Sequence, residues 1–287
     1  MEDNLEMYRE WLIKNERSKT TIYAYVMCVS HYSKWHKVTY GIETTKILND
    51  NVVAYRSYLQ NYKKLKDSTI NSKLAALINY NEYLAASDNS RLTEIAVDKK
   101  VYLRSPPAYT SSRTLNEKEV DQFRRAVFSG SGNLGKRNHA IVTIIAYGGL
   151  RISETLGLKY EDVDLVNKQI TVHKGAFNKQ RIVFIGDKIA SSIKVYIDEK
   201  DYIEKPWLFP GRGGKNHLNR SVVNKIFNNF SSEITPQALR LFYFSNALEK
   251  GYNVQEVAAQ AGLANINTTL KYTNPTIESM KEKATRL

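Results

Sequence analysis

Apolar positions in the first hundred residues recur at helical spacing. The run MYREWLIKNE predicts a first helix. A second, ERSKTTIYAYVMCVSHYSKWHK, is predicted to cap on Ser18 and run to about Trp35. A third, NDNVVAYRSYLQNYKK, is expected to cap on Asn49 or Asp50. The fourth, DSTINSKLAALINYNEYLAAS, opens on Asp67 or Ser68 and carries Ile70, Leu74, Leu77, Ile78 and Leu84 on its apolar side. Short connections between these helices predict a compact helical domain over residues 1–98. The stretch KKVYLRSPPAYTSSR, residues 99–113, has a Pro-Pro pair and neither a helical nor an alternating pattern, so it reads as a linker.

Residues 114–287 form the second predicted domain. TLNEKEVDQFRRAVF starts a helix with Asn116 as its cap. NHAIVTIIAYGG is an apolar helix ended by Gly148 and Gly149, and LRISETLGLKYEDV is expected as a further amphipathic helix. KQITVHKGAFNKQRIVFIG holds two β-branched runs around a turn, the signature of a β-hairpin. Helical patterns then dominate through SSIKVYIDEK, SVVNKIFNNF, TPQALRLFYFSNALEKG, VQEVAAQAG, NTTLKYTNP and ESMKEKATRL. The predicted class is mainly α with a small antiparallel β-sheet.

Charge adds a partner to this picture. Lys and Arg number 42 against 29 Asp and Glu, a formal charge of +13 on 287 residues. Such a field attracts polyanions, and nucleic acid is the expected partner. The single cysteine, Cys28, precludes an internal disulfide and a thiolate cluster, and fits a reducing, cytoplasmic setting. It sits in an apolar helical pattern and reads as core. The start, MEDNLEMYREWL, is acidic and amphipathic rather than a leader, and no run approaches a membrane span. The five histidines lack ligand spacing, and no phosphate-cradling or metal-protease motif occurs, so neither a metal nor a cofactor is expected.

The candidate chemistry lies in the second domain. Arg151 opens a helix in GGLRISE, with Glu154 one turn on, placed to hold the guanidinium. The hairpin tip offers Lys174 and Lys179. Arg240 sits among Leu239, Leu241 and Phe242, where an unpaired arginine is rarely buried. Tyr272 follows in AGLANINTTLKYTN. Singly, these residues read as a solvated helix-end charge, a solvated turn, a buried ion pair and a packing aromatic.

As an ordered set they resemble the tyrosine recombinase family, which includes phage integrases and Xer-type resolvases. GGLRISETLGLKYEDVD is similar to its first-arginine box, and ITVHKGAFNKQRIVFI to its lysine hairpin. TPQALRLFYFSNALEKGYNVQEVAAQAGLANINTTLKYTN is similar to its second-arginine and tyrosine boxes. Ser18 to Tyr25 and SRTLNEKEV are similar to the openings of its core-binding and catalytic domains. The resemblance implies a helical, SAM-like core-binding domain, an α+β catalytic domain with a C-terminal helix, and site-specific recombination of double-stranded DNA. Tyr272 would be the nucleophile, Arg151 and Arg240 the phosphate ligands, and Lys174 (alternatively Lys179) the general acid, with Glu154 in support. It further implies homotetramers on paired DNA sites, joined by exchange of the C-terminal helix, and a nucleoid-associated protein.

Two positions depart from the family's pattern. Gln237 stands where HxLRH has its first His or a Lys, and Leu263 where a His or Trp usually follows Leu-Gly. A glutamine can hydrogen-bond a phosphate oxygen but is no base near neutral pH, and leucine donates nothing from its side chain. These departures support an alternative, a weakened or inactive DNA-binding protein of the same fold acting as an accessory factor.

Overall fold

The structure is a computed structural model that describes residues 2–43, 47–87, 101–103, 115–173, 180–198 and 206–263. The chain divides into two compact units, Met1–Thr110 and Ser111–Leu287.

In the first unit, α1 (Glu2–Lys14), α2 (Lys19–Tyr40), α3 (Asn49–Ser57) and α4 (Asp67–Ser87) enclose a core of Tyr8, Leu12, Tyr32, Ile70, Leu74 and Leu77. The Ser18 side chain caps α2 by accepting from the Thr21 N–H. The helix runs past the expected end near Trp35 because His36 is buried and bonded to the Ile42 carbonyl and the Asn51 amide; it stops at Gly41, with φ of 76°. The expected cap of α3 is also corrected. Leu48 takes that position without a side-chain bond, and Asn49 is already helical, since burial of Ile47 fixes the entry. The helix widens into a π turn at Tyr58–Tyr62. Within the stretch read as a linker, Val101 is buried in this core, held by Arg56 and Asn71 bonds to the Val101 and Leu103 carbonyls. Cys28, read as core, is half-buried.

The second unit is built on α6 (Gly135–Gly148), with α5 (Glu117–Gly130), α8 (Asp187–Ile197) and α10 (Pro236–Glu249) packed on it. It is apolar nearly all round, which suits a central helix. Asn116 and Glu119 form a reciprocal capping box on α5. An antiparallel sheet, ordered β1 (Val163–Asp164), β2 (Gln169–Val172), β3 (Arg181–Phe184), pairs Ile170 with Val183 and Val172 with Arg181. The helices α9 (Arg220–Phe230) and α11 (Val254–Ala261) also belong to this unit.

The expectation for LRISETLGLKYEDV is corrected. Its helix, α7, spans only Ile152–Leu156. Buried Asp162 accepts from the Lys159 N–H at 2.7 Å and from His173 Nε2 at 2.6 Å, turning the chain through a 3₁₀ turn into β1. The Leu158 carbonyl accepts from the Leu208 N–H instead of from a next helical turn.

Gly149 ends α6 at φ of 63°, and a Cβ there would run into the Tyr243 ring. Gly149→Ala is expected to destabilise the protein by about 2 kcal/mol through backbone strain and displacement of that ring. Thermal unfolding of the full chain measures it, and an unchanged melting temperature would contradict this account.

Candidate phosphate-binding site

The site is assembled where three chain segments meet. Arg151 is the residue that enters α7, with φ of −69° and ψ of 148°. The left-handed turn at Gly149 and the extended backbone of Arg151 lead the chain from α6 into α7. Its Nη1 donates to Glu154 Oε1 at 2.9 Å, and the Glu154 carboxylate returns to the Arg151 backbone N–H at 2.8 Å. Glu154 thus holds both the side chain and the backbone of Arg151.

Glu154 is almost fully buried, with a side chain 3% exposed. It also receives both terminal nitrogens of Arg181, at 3.0 and 2.8 Å, and lies 3.8 Å from Arg240. Burial alone pushes this carboxyl up. The Arg181 hydrogen bonds, then the Arg151 backbone bond, outweigh it and hold the group below its usual range.

Arg240 sits on α10 and is 4% exposed. Its Nη1 donates to the Gly149 carbonyl at 2.6 Å and its Nη2 to the Ala261 carbonyl at 2.7 Å. Burial, aided by the nearby Arg151 charge, pushes its pKa down to about 10. It therefore stays charged at neutral pH.

The last turn of α11 binds all three guanidiniums. The Gln260 carbonyl accepts from Arg181 at 2.9 Å, Ala261 from Arg240 at 2.7 Å and Gly262 from Arg151 at 3.0 Å. A helix C-terminus leaves such carbonyls without intrahelical partners and carries partial negative charge. Three cations on three consecutive carbonyls exploit both properties.

A cleft of about 560 Å³ opens beside this cluster. Arg151, Arg240, Gln237 and Leu263 all line it, along with Arg220 and Asn224 of α9. No acidic side chain is among its described lining residues. Arg151 and Arg240 each commit two nitrogens here, and a guanidinium has five N–H groups. Among the described residues each therefore retains donors for an anion while held in place. Leu263 gives the cleft no donor from its backbone either, because its N–H bonds the Ala258 carbonyl at 2.9 Å.

Of the residues singled out from the sequence, Arg151, Glu154, Arg240, Gln237 and Leu263 come together here. Lys174, Lys179 and Tyr272 lie outside the described residues. Arg181 was missed. Its signal was faint: an arginine opening the β-branched run RIVF, two positions from buried Val183 on the same strand face.

Comparison with known proteins places the chain. The model described as Phage integrase family matches residues 113–278, and that described as Phage integrase, N-terminal SAM-like domain, matches residues 5–88. The chain is 36% identical over 285 residues to the TnP I resolvase of Bacillus thuringiensis, covering 98% of each. It is 27% identical to the tyrosine recombinase XerC of Herpetosiphon aurantiacus, over 96% of this chain and 91% of the relative. Among solved structures, the fold matches the Tn1549 transposon integrase in complex with transposon right-end DNA, with a TM-score of 0.71, 16% identity and 99% of each chain covered. It also matches the XerH site-specific recombinase bound to palindromic difH substrate in a post-cleavage complex, with a TM-score of 0.71, 20% identity, and coverage of 92% of this chain and 78% of that one. With two family models and a full-length relative in agreement, the chain belongs to the phage integrase family, the tyrosine recombinases.

Proposed function

We propose that this chain is a site-specific DNA recombinase that cuts and rejoins duplex DNA through a 3′-phosphotyrosyl link on Tyr272. One observation carries the reading. Arg151 and Arg240 are fixed on one corner of α11, at the head of the segment leading to Tyr272, and both open on a cleft whose described lining lacks acid.

The Tyr272 hydroxyl oxygen attacks a backbone phosphorus, and the bond from phosphorus to the 5′-oxygen breaks. Negative charge grows on the non-bridging oxygens in the transition state, where two held guanidiniums complement it. The departing 5′-oxygen takes a proton from Lys174, with Lys179 as the other candidate. The tyrosine's own proton must pass to an acceptor, since a phenol near pKa 10 is a poor nucleophile. The new phosphodiester keeps the energy of the one broken, so a partner strand's 5′-hydroxyl reverses the step.

The remaining assignments extend this reading. Residues 1–98 act as the core-binding domain and 114–287 as the catalytic domain, joined by 99–113. Four protomers assemble on two paired sites through the C-terminal helix. The protein associates with the nucleoid. Lys and Arg contacts to phosphates supply affinity that falls steeply with salt. No helix among the described residues is long and apolar enough to cross a membrane.

A second reading has its own support. Gln237 and Leu263 line the cleft where the family usually places stronger donors, and losing one transition-state donor costs about 10²–10³ in rate. An accessory DNA-binding protein would show salt-sensitive binding and no cleavage.

A nicked duplex carrying DNA that flanks the gene separates the two. The recombinase reading expects a covalent protein–DNA adduct with wild type and none with Tyr272→Phe. Arg240→Ala is expected to slow adduct formation by about 10²–10³. No adduct from any flanking segment overturns the reading.

Glu154→Gln leaves three guanidiniums without their buried carboxylate and is expected to cost about 3 kcal/mol of stability at neutral pH. Because the folded Glu154 titrates below its ordinary value, its contribution is present above the usual carboxylate range and lost as pH falls through the folded value. The gap in melting temperature between wild type and Glu154→Gln should therefore narrow below about pH 4. A gap independent of pH would contradict the assigned charge state.

A further inference from the structure

We propose that Arg181 is a positioning residue that ties the lysine-bearing hairpin to the corner from which the tyrosine segment departs, and that DNA cleavage depends on this tie. The inference rests on the recombinase reading above.

Arg181 joins three elements at once. Its backbone pairs with Val172 in the last described cross-strand pair before residues 174–179, which hold both candidate lysines. Its Nη1 and Nη2 fork onto the two oxygens of Glu154 on α7. Its Nε donates to the Gln260 carbonyl on α11 at 2.9 Å. A second strut runs alongside, since the Phe184 N–H donates to Gln260 Oε1 at 3.1 Å. The hairpin root, the first-arginine helix and the end of α11 are thus fastened by one side chain, itself 12% exposed.

Arg181 is not among the residues lining the cleft, so its role differs from that of Arg151 and Arg240. All three of its nitrogens are committed to the protein. Gly262 makes room for it. That residue adopts φ of 63°, and a Cβ there would lie 2.7 Å from the Arg181 guanidinium carbon. The corner is shaped so that the planar group can lie against it. Lysine cannot reproduce this arrangement, because an ammonium lacks the fixed fork.

The chemical consequence follows from geometry. In the recombinase reading the general acid and the nucleophile act on the same phosphate, and Arg181 holds the described root of the hairpin and the described end of α11 from which their segments depart. Loosening the anchor misplaces each relative to the other, and a misplacement of about 1 Å costs about 10²-fold in rate. Part of that loss is specific to protonation of the leaving oxygen. A merely structural role would lack this signature, because a general loss of folded protein slows every substrate equally.

The test uses full-length protein and the nicked flanking duplex in two forms, one with the natural 5′-oxygen and one with bridging 5′-sulfur, which departs without a proton. Arg181→Lys is expected to bind duplex within about threefold of wild type, since phosphate contacts elsewhere are untouched. Its adduct formation should fall about 50-fold on the oxygen substrate and less than about tenfold on the sulfur substrate. Gly262→Ala, which presses on the same guanidinium, should show the same split and serves if Arg181→Lys does not fold. Equal losses on both substrates, or wild-type rates, overturn the proposal. Wild type that forms no adduct would overturn the recombinase reading instead. The tie is then tested by hydrogen exchange. Amides of residues 258–263 should exchange faster in Arg181→Lys, and unchanged protection there overturns it.

Discussion

The second unit is organised around one buried carboxylate. Glu154 is shared among the guanidiniums of Arg151, Arg181 and Arg240, which come from a helix entry, a strand and a helix interior far apart in sequence. An unpaired carboxylate at this depth would carry a penalty of several kcal/mol, so the three arginines must arrive together. The requirement sets the direction of α7, the register of β3 against β2 and the docking of α11. The short α7 is part of the same constraint. Had the helix continued through Leu158, its carbonyl would not meet the Leu208 N–H, and the sheet that presents Arg181 would start from a different place.

Much of the frame was legible because it depends on local chemistry. Ser18 and Asn116 cap as their side chains dictate. The unbroken apolar run of α6 marks a central helix, and Gly149 marks its end. The hairpin follows from β-branched runs around a turn. What sequence could not supply is tertiary. The end of α7 depends on Asp162, which caps Lys159 only because His173 and the sheet pack beside it. His36 extends α2 through bonds to Ile42 and Asn51, partners that periodicity does not reveal.

The candidate site divides in the same way. Arg151, Arg240 and Glu154 sit in motifs whose order is recognisable. Arg181 hides because β3 inverts the expected pattern: Ile182 and Phe184 face outward, 49% and 65% exposed, while the arginine shares the inward face with Val183. Only the presence of Glu154 across the gap makes that orientation favourable. A strand pattern that buries an arginine and exposes a phenylalanine is a local violation, and such violations mark functional or supporting positions more often than chance.

The acceptors chosen for these arginines bear on Gln237 and Leu263. Pairing each guanidinium with its own carboxylate would fix geometry but cancel the charge. Here one carboxylate serves three guanidiniums, and the other acceptors are the main-chain carbonyls of residues 149, 260, 261 and 262. Carbonyls satisfy hydrogen bonds and hold orientation without neutralising a cation. Among the described residues two positive charges therefore remain uncompensated within the cluster, beside a cleft whose described lining holds no acid. In partly buried surroundings each such charge interacts with an anion more strongly than it would in water. Leu263 offers the cleft no side-chain donor and Gln237 only a neutral amide, so the electrostatic attraction for an anion at this candidate site rests on the two arginines that line it beside them.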